Sequence, residues 1–149
     1  MSRLYLAGAA AEADERSTRR WYAGAPQWDC DCGHCRNFLA LARRRQLPPE
    51  VLELLDHLEI PPEKATYVCE MYHEEATLFY QIGYRLAGTL LEAAPGSPEA
   101  GYTEIHISRE RCAPFEAPDF PEPSFELELW ISLPWILDEP IDGREENAP

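Results

Sequence analysis

Three cysteines fall within six residues, Cys30, Cys32 and Cys35, in the run WDCDCGHCRNF at positions 28–38. Thiolate sulfur is a soft donor, and thiols this close in sequence converge readily on one zinc ion. Zinc–sulfur bonds run to about 2.3 Å and zinc–nitrogen bonds to about 2.0 Å, and a closed structural site is tetrahedral. A fourth donor is therefore required. Cys69 and His73 are candidates, as are His106 and Cys112 further along. Cys69 and His73 lie four apart in an alternating run, which places them on one face of a strand. His34 lies inside the motif, where its short tether makes convergence with its neighbours harder. If none of the four comes within about 5 Å of the three sulfurs, a closed site built from them is excluded. Water or a partner chain then has to complete it.

The same residues allow two other chemistries. Cys32-Gly33-His34-Cys35 is the tetrapeptide at the active site of thioredoxin-like disulfide isomerases, so a dithiol/disulfide oxidoreductase is the alternative function. In that fold the motif opens a helix directly after a buried strand. Here YAGAPQWD precedes it, with two breakers and no apolar run. The plainest possibility is three reduced thiols packed as small hydrophobes around a turn. Three cysteines in six residues is dense for packing alone, which keeps metal binding level with it. No catalytic residue emerges elsewhere. His57 and Asp56 are helix neighbours and do not face each other. HEEA at 73–76 lacks the second histidine of a zincin helix.

The elements that must position these side chains can be read from periodicity. A helix is expected over 9–23, ending near Gly24, and another in RNFLALARRRQ from Arg36. LPPEVLELLDHLEI is the clearest helix, with Pro48 and Pro49 setting its first turn and Val51, Leu52, Leu54, Leu55 and Leu58 as its stripe. After Ala65 the period becomes two. TYVCEMYH, TLFYQIGYRLAGTLLE, YTEIHISRE and SFELELWISLP read as four strands. In the last, Phe125, Leu127, Leu129, Ile131 and Leu133 face one way, and Glu126, Glu128, Trp130 and Ser132 the other. Gly83 and Gly88 inside a strand predict a bulge or a close backbone approach. The expected architecture is α+β: N-terminal helices followed by a four-stranded antiparallel meander over 65–134. One domain spans 1–139, and 140–149 is an acidic, frayed tail.

The chain has 149 residues, 27 acidic against 13 basic, for a net charge of −14. Such a surface repels nucleic acid and anionic membranes. No run approaches the roughly 18 apolar residues that span a bilayer, and no secretory leader pattern opens the chain. With an odd number of cysteines, five, a cytoplasmic protein with reduced thiols is expected. A protein partner is expected at an exposed aromatic patch of Trp130, Trp135 and Tyr80.

Two motifs carry a resemblance. WYAGAPQWDCDCGHCRNF, followed by LPPEVLELLDHLEIPPEKA and later by LELWISLPWILDEP, is similar to an uncharacterised family of short bacterial proteins. Its members share a C-x-C-x-x-C-R-N-F segment and an L-P-W-x-L-D ending. In this chain these are Cys30, Cys32, Cys35, Arg36, Asn37 and Phe38, then Pro134, Trp135, Leu137 and Asp138, and the likeness covers about residues 21–139. It implies a cytoplasmic bacterial protein with no assigned activity. The family has an aromatic residue before the third cysteine where this chain has His34, so the isomerase-like tetrapeptide reads as coincidence. The function expected is a small non-catalytic binding module, its cysteine cluster a structural staple with zinc as the candidate metal.

Overall fold

The chain opens as a hairpin, not as a helix. In the computed structural model, which describes residues 2–6, 8–92, 103–108 and 117–141, β1 (Ser2–Leu6) pairs antiparallel with β2 (Ala9–Ala13). Gly8 turns between them with a φ of +86°, a conformation that costs glycine little. Alanine favours helices, but here tertiary packing overrides that preference. Ala9, Ala10, Ala11 and Ala13 are buried, and β2 lies so close to β4 that only small residues fit. The helix expected over 9–23 is thus shortened to α1 (Glu15–Gly24).

Asp14 marks the switch. Its carboxylate accepts from the Ser17 N–H at 3.1 Å and from the Ser17 hydroxyl at 2.8 Å, capping the helix. Those bonds hold the Asp14 carboxyl below its ordinary value of 3.8. A depressed folded-state pKa adds stability above the unfolded value and loses it as pH falls through the folded one. Asp14→Ala is therefore expected to lower the urea midpoint at neutral pH. The gap to wild type should narrow once pH drops below 3.8. A gap of constant size down to the acid limit of the fold would show that the ionised carboxylate is not the cap.

Two further helices follow, α2 (Gly33–Arg43) and α3 (Pro49–His57), then a 3-10 turn at Pro62–Lys64. α3 starts on its prolines as expected and buries Val51 and Leu55. The remaining strands are β3 (Tyr67–Glu74), β4 (Thr77–Glu92), β5 (Glu104–Ser108) and β6 (Ser124–Pro134).

All four alternating runs are strands, but the meander is wrong, and so is the placing of every strand after the helices. Among the described residues one six-stranded antiparallel sheet runs β1-β2-β4-β6-β5, with β3 also on β4. β6 enters between β4 and β5 because it can pair with β4 along its whole length, from Thr77 opposite Pro134 to Ala87 opposite Ser124. The short β5 then takes the outer edge of β6. Alternation is satisfied equally by either order, so it could not choose between them.

β3 and β2 share one edge of β4, at Thr77–Gly83 and Gly88–Glu92 respectively. Helix α1 closes the gap they leave. The Ala87 N–H donates to Thr18 Oγ1 at 3.0 Å, the Ala87 carbonyl accepts from the Asp14 N–H at 2.8 Å, and the Arg85 carbonyl accepts from the Tyr22 hydroxyl at 2.8 Å. The backbone edge is satisfied without a strand.

One face of the sheet is the core. Tyr80, Ile82, Tyr84 and Leu86 of β4 join Leu127, Leu129, Ile131 and Leu133 of β6, and α2 and α3 add Phe38, Leu41, Val51 and Leu55. The inward face of β6 is the one its alternation indicated. The opposite face departs at one position: Glu126 is buried beside Arg85, 1% exposed. Gly83 faces Glu126 where an added Cβ would collide with its carboxylate, the close approach its type foretold. Of the acidic tail expected at 140–149, residues 142–149 lie outside those described, as do Cys112 and the end of the third strand run.

Candidate metal centre

Cys30 and Cys32 end the loop that leads into α2, and Cys35 stands in its first turn. The three sulfurs lie within 4.8 Å of one another, with Cys30 and Cys32 Sγ 3.3 Å apart. Cys30, Cys32, Cys35 and Cys69 are all free thiols. The group could hold a metal ion, and the partial positive charge of the helix N-terminus favours thiolates there. Neither Asp29 nor Asp31 caps this helix; Cys32 occupies the N-cap. Asp31 instead offers its carbonyl to Arg36 Nε at 3.1 Å.

The thiols are not equivalent. Hydrogen bonding with Cys32, first through its backbone N–H and then through the sulfur contact, draws the Cys30 thiol below the ordinary value. Burial pushes Cys32 up, helped by the neighbouring Cys30. Cys35 is fully buried and pushed up furthest by desolvation, although the Trp28 indole N–H donates to its sulfur at 3.1 Å. Two raised thiols and one lowered thiol make a poor dithiol nucleophile. A metal ion would have to displace the protons of all three, and its charge would offset the cost of burying their thiolates.

The sequence missed the clamp that fixes this loop–helix junction to the sheet. Asn37 is fully buried in α2. Its Nδ2 donates to the Pro134 carbonyl at 3.0 Å and to the Tyr80 hydroxyl at 3.3 Å, and its Oδ1 accepts from the Ile136 N–H at 2.8 Å. Tyr80 in turn donates to the His34 carbonyl at 2.6 Å. Beside them Arg36 grips both oxygens of Glu139, at 2.6 and 2.8 Å, and holds that carboxyl below the usual range. A lone asparagine in the apolar stripe of FLALA was the available signal. Tyr80→Phe removes one bond from each end of this chain, and a loss of about 1–2 kcal/mol is expected in urea denaturation. No loss would mean that the hydroxyl adds nothing to holding α2 on the sheet.

The candidate fourth donors separate. The β3–β4 register shifts between Glu70 and Tyr72. This bulge moves His73 to the face that carries Glu70, so Cys69 and His73 do not share one as expected. Cys69 stands opposite Gln81, whose neighbour Tyr80 faces α2, so Cys69 faces away from the cluster. His106, opposite Glu128 in β5 and 3.2 Å from Glu104, lies on that same far face. Neither these two nor His73 belongs to the group of mutually close donors among the described residues.

Tyr80 is 0% exposed, so it cannot share a surface patch with Trp130 and Trp135. Trp130 lies half-buried 6.2 Å from Phe79, and Trp135 donates to the Glu139 carbonyl at 2.7 Å. Among the described residues, no helix is long and apolar enough to cross a membrane. No family model, no curated protein and no solved structure matches the chain, so the chemistry of the site is carried by its geometry.

Proposed function

We propose that Cys30, Cys32 and Cys35 bind one zinc ion as a structural staple, and that the protein is a small cytoplasmic binding module without catalysis. The observation that carries this is three reduced sulfurs within 4.8 Å, gathered at the junction where loop, helix α2 and sheet meet. Thiols kept reduced suit a cytoplasm, and soft sulfur donors suit zinc. The Cys32/Cys35 oxidoreductase is the weaker reading, because the attacking thiol would be Cys32, whose pKa burial raises, and no buried strand leads into the motif as that fold requires. Kinship with the family of short bacterial proteins is supported by the contacts between its two motifs, Arg36 with Glu139 and Asn37 with Pro134 and Ile136. A protein partner at the half-exposed Trp130 belongs to the same proposal; the net charge of −14 speaks against nucleic acid.

Alkylation tests the staple. With zinc present, Cys30 and Cys32 should resist iodoacetamide, and a chelator should open both while Cys69 labels equally in either state. Equal labelling of Cys30 and Cys32 with and without zinc would overturn the metal reading. Insulin reduction by the wild type that is lost in Cys32→Ser/Cys35→Ser would favour the oxidoreductase instead.

A further inference from the structure

We propose that His34 is the fourth donor of this centre, through Nε2, and that Glu70 and His73 form the outer shell that aims its ring. This rests on the zinc reading and adds a ligand to it. Tetrahedral zinc with bonds of about 2.0 Å to nitrogen and 2.3 Å to sulfur separates its donors by about 3.5 Å for N···S and about 3.8 Å for S···S. His34 Nε2 and Nδ1 lie 3.5 and 3.6 Å from Cys32 Sγ, so distance does not choose between them, and Glu70 beside Nδ1 leaves Nε2 for the metal; Cys30 and Cys32 Sγ are 3.3 Å apart. One edge of the tetrahedron already has its ligand spacing. The ring is outside the group of donors mutually within 4.8 Å, so side-chain rotation must carry it over the open side of the three sulfurs. Its side chain is 25% exposed, so one edge of the ring is open to solvent.

The second observation is what stands behind the ring. His34 Nδ1 is 3.9 Å from one oxygen of Glu70, and the other oxygen is 3.2 Å from His73 Nδ1. A histidine that binds zinc through one nitrogen ordinarily donates the other N–H to a carboxylate, which fixes the tautomer and the ring plane. Glu70 stands 3.9 Å off, beyond hydrogen-bond reach, so the same rotation has to close that gap, and His73 braces the carboxylate. The β3 bulge makes this possible, since residues three apart in a regular strand would point to opposite faces. His73 thus acts behind the site and not on the metal. The short tether makes convergence harder for His34, and because helix neighbours do not face each other its ring has to reach the centre from the side of Cys32 and not of Cys35.

X-ray absorption on the zinc-loaded full chain tests the assignment. Wild type should show three sulfurs at about 2.3 Å and one nitrogen at about 2.0 Å with imidazole scattering. His34→Ala should lose the imidazole signal and bind zinc at least 100-fold more weakly, while His34→Cys should restore tight binding with four sulfurs. Glu70→Gln, which acts only through the ring, should keep the imidazole signal and weaken binding 10- to 100-fold. Circular dichroism of the metal-free variants separates loss of a ligand from loss of the fold, and His34→Cys stands as the second arm if His34→Ala does not fold. Stoichiometric zinc with four sulfurs or with no imidazole, or equal affinity in His34→Ala, overturns the His34 assignment and leaves the three-cysteine centre standing. Absence of zinc from the wild type overturns both.

Discussion

Gly88→Ala should cost at least about 3 kcal/mol and release the N-terminal hairpin from the sheet. Gly88 has a φ of +135°, where an L side chain is strained, and an added Cβ would run into the Glu12 carbonyl oxygen and crowd Ala13 Cα. Both obstacles are backbone, so no rotamer change relieves them. The relief available is for β2 to move off β4, which breaks the pairing of Ala13 with Gly88 and of Glu12 with Thr89. β1, which pairs with β2, goes with it. Urea denaturation should show the loss, and hydrogen exchange should show protection lost first over residues 9–13. A cost below about 1 kcal/mol with protection intact would mean that β2 does not approach β4 as closely as described.

The second large effect is expected at Asn37. Asn37→Leu keeps the branched heavy-atom shape but leaves the Pro134 carbonyl and the Ile136 N–H without the partners they have at 3.0 and 2.8 Å. Both groups are only partly buried and water can reach them, so a loss of about 1–3 kcal/mol in all is expected. Asn37→Asp should be no better. It keeps an acceptor for Ile136 but aims a buried negative charge at the Pro134 carbonyl. Exchange over residues 134–139 should rise in both variants, because the Arg36–Glu139 pair loses the anchor beside it. If Asn37→Leu is as stable as wild type, packing alone holds α2 to the end of β6.

Much of this was legible because it follows from periodicity. SFELELWISLP offers its odd-numbered face to the core, though Glu126 on the other face is buried too, and LPPEVLELL could start a helix only at its prolines. Three cysteines in six residues are held together by chain connectivity before any folding occurs. What was not legible depends on groups far apart in sequence. The alanines of β2 carry helical propensity, and only Gly88, some 75 residues on, tells that a backbone must pass close by. The order β4-β6-β5 is a choice between partners whose patterns are equally suitable. Cys69 and His73 were assigned one face by counting, and a single extra residue at the bulge undid the count. Asn37 stood out only as a polar residue beside an apolar stripe, and Glu70 looks like an ordinary surface residue until His34 is placed beside it.

Native mass spectrometry of the chain purified without added metal or chelator tests the central claim most directly. One zinc ion per chain is expected, retained through buffer exchange, lost to a strong chelator and absent from Cys30→Ser/Cys32→Ser. A wild-type chain that keeps all its thiols reduced and stays metal-free even in excess zinc would contradict the account, leaving Cys30, Cys32 and Cys35 as packed thiols and nothing more.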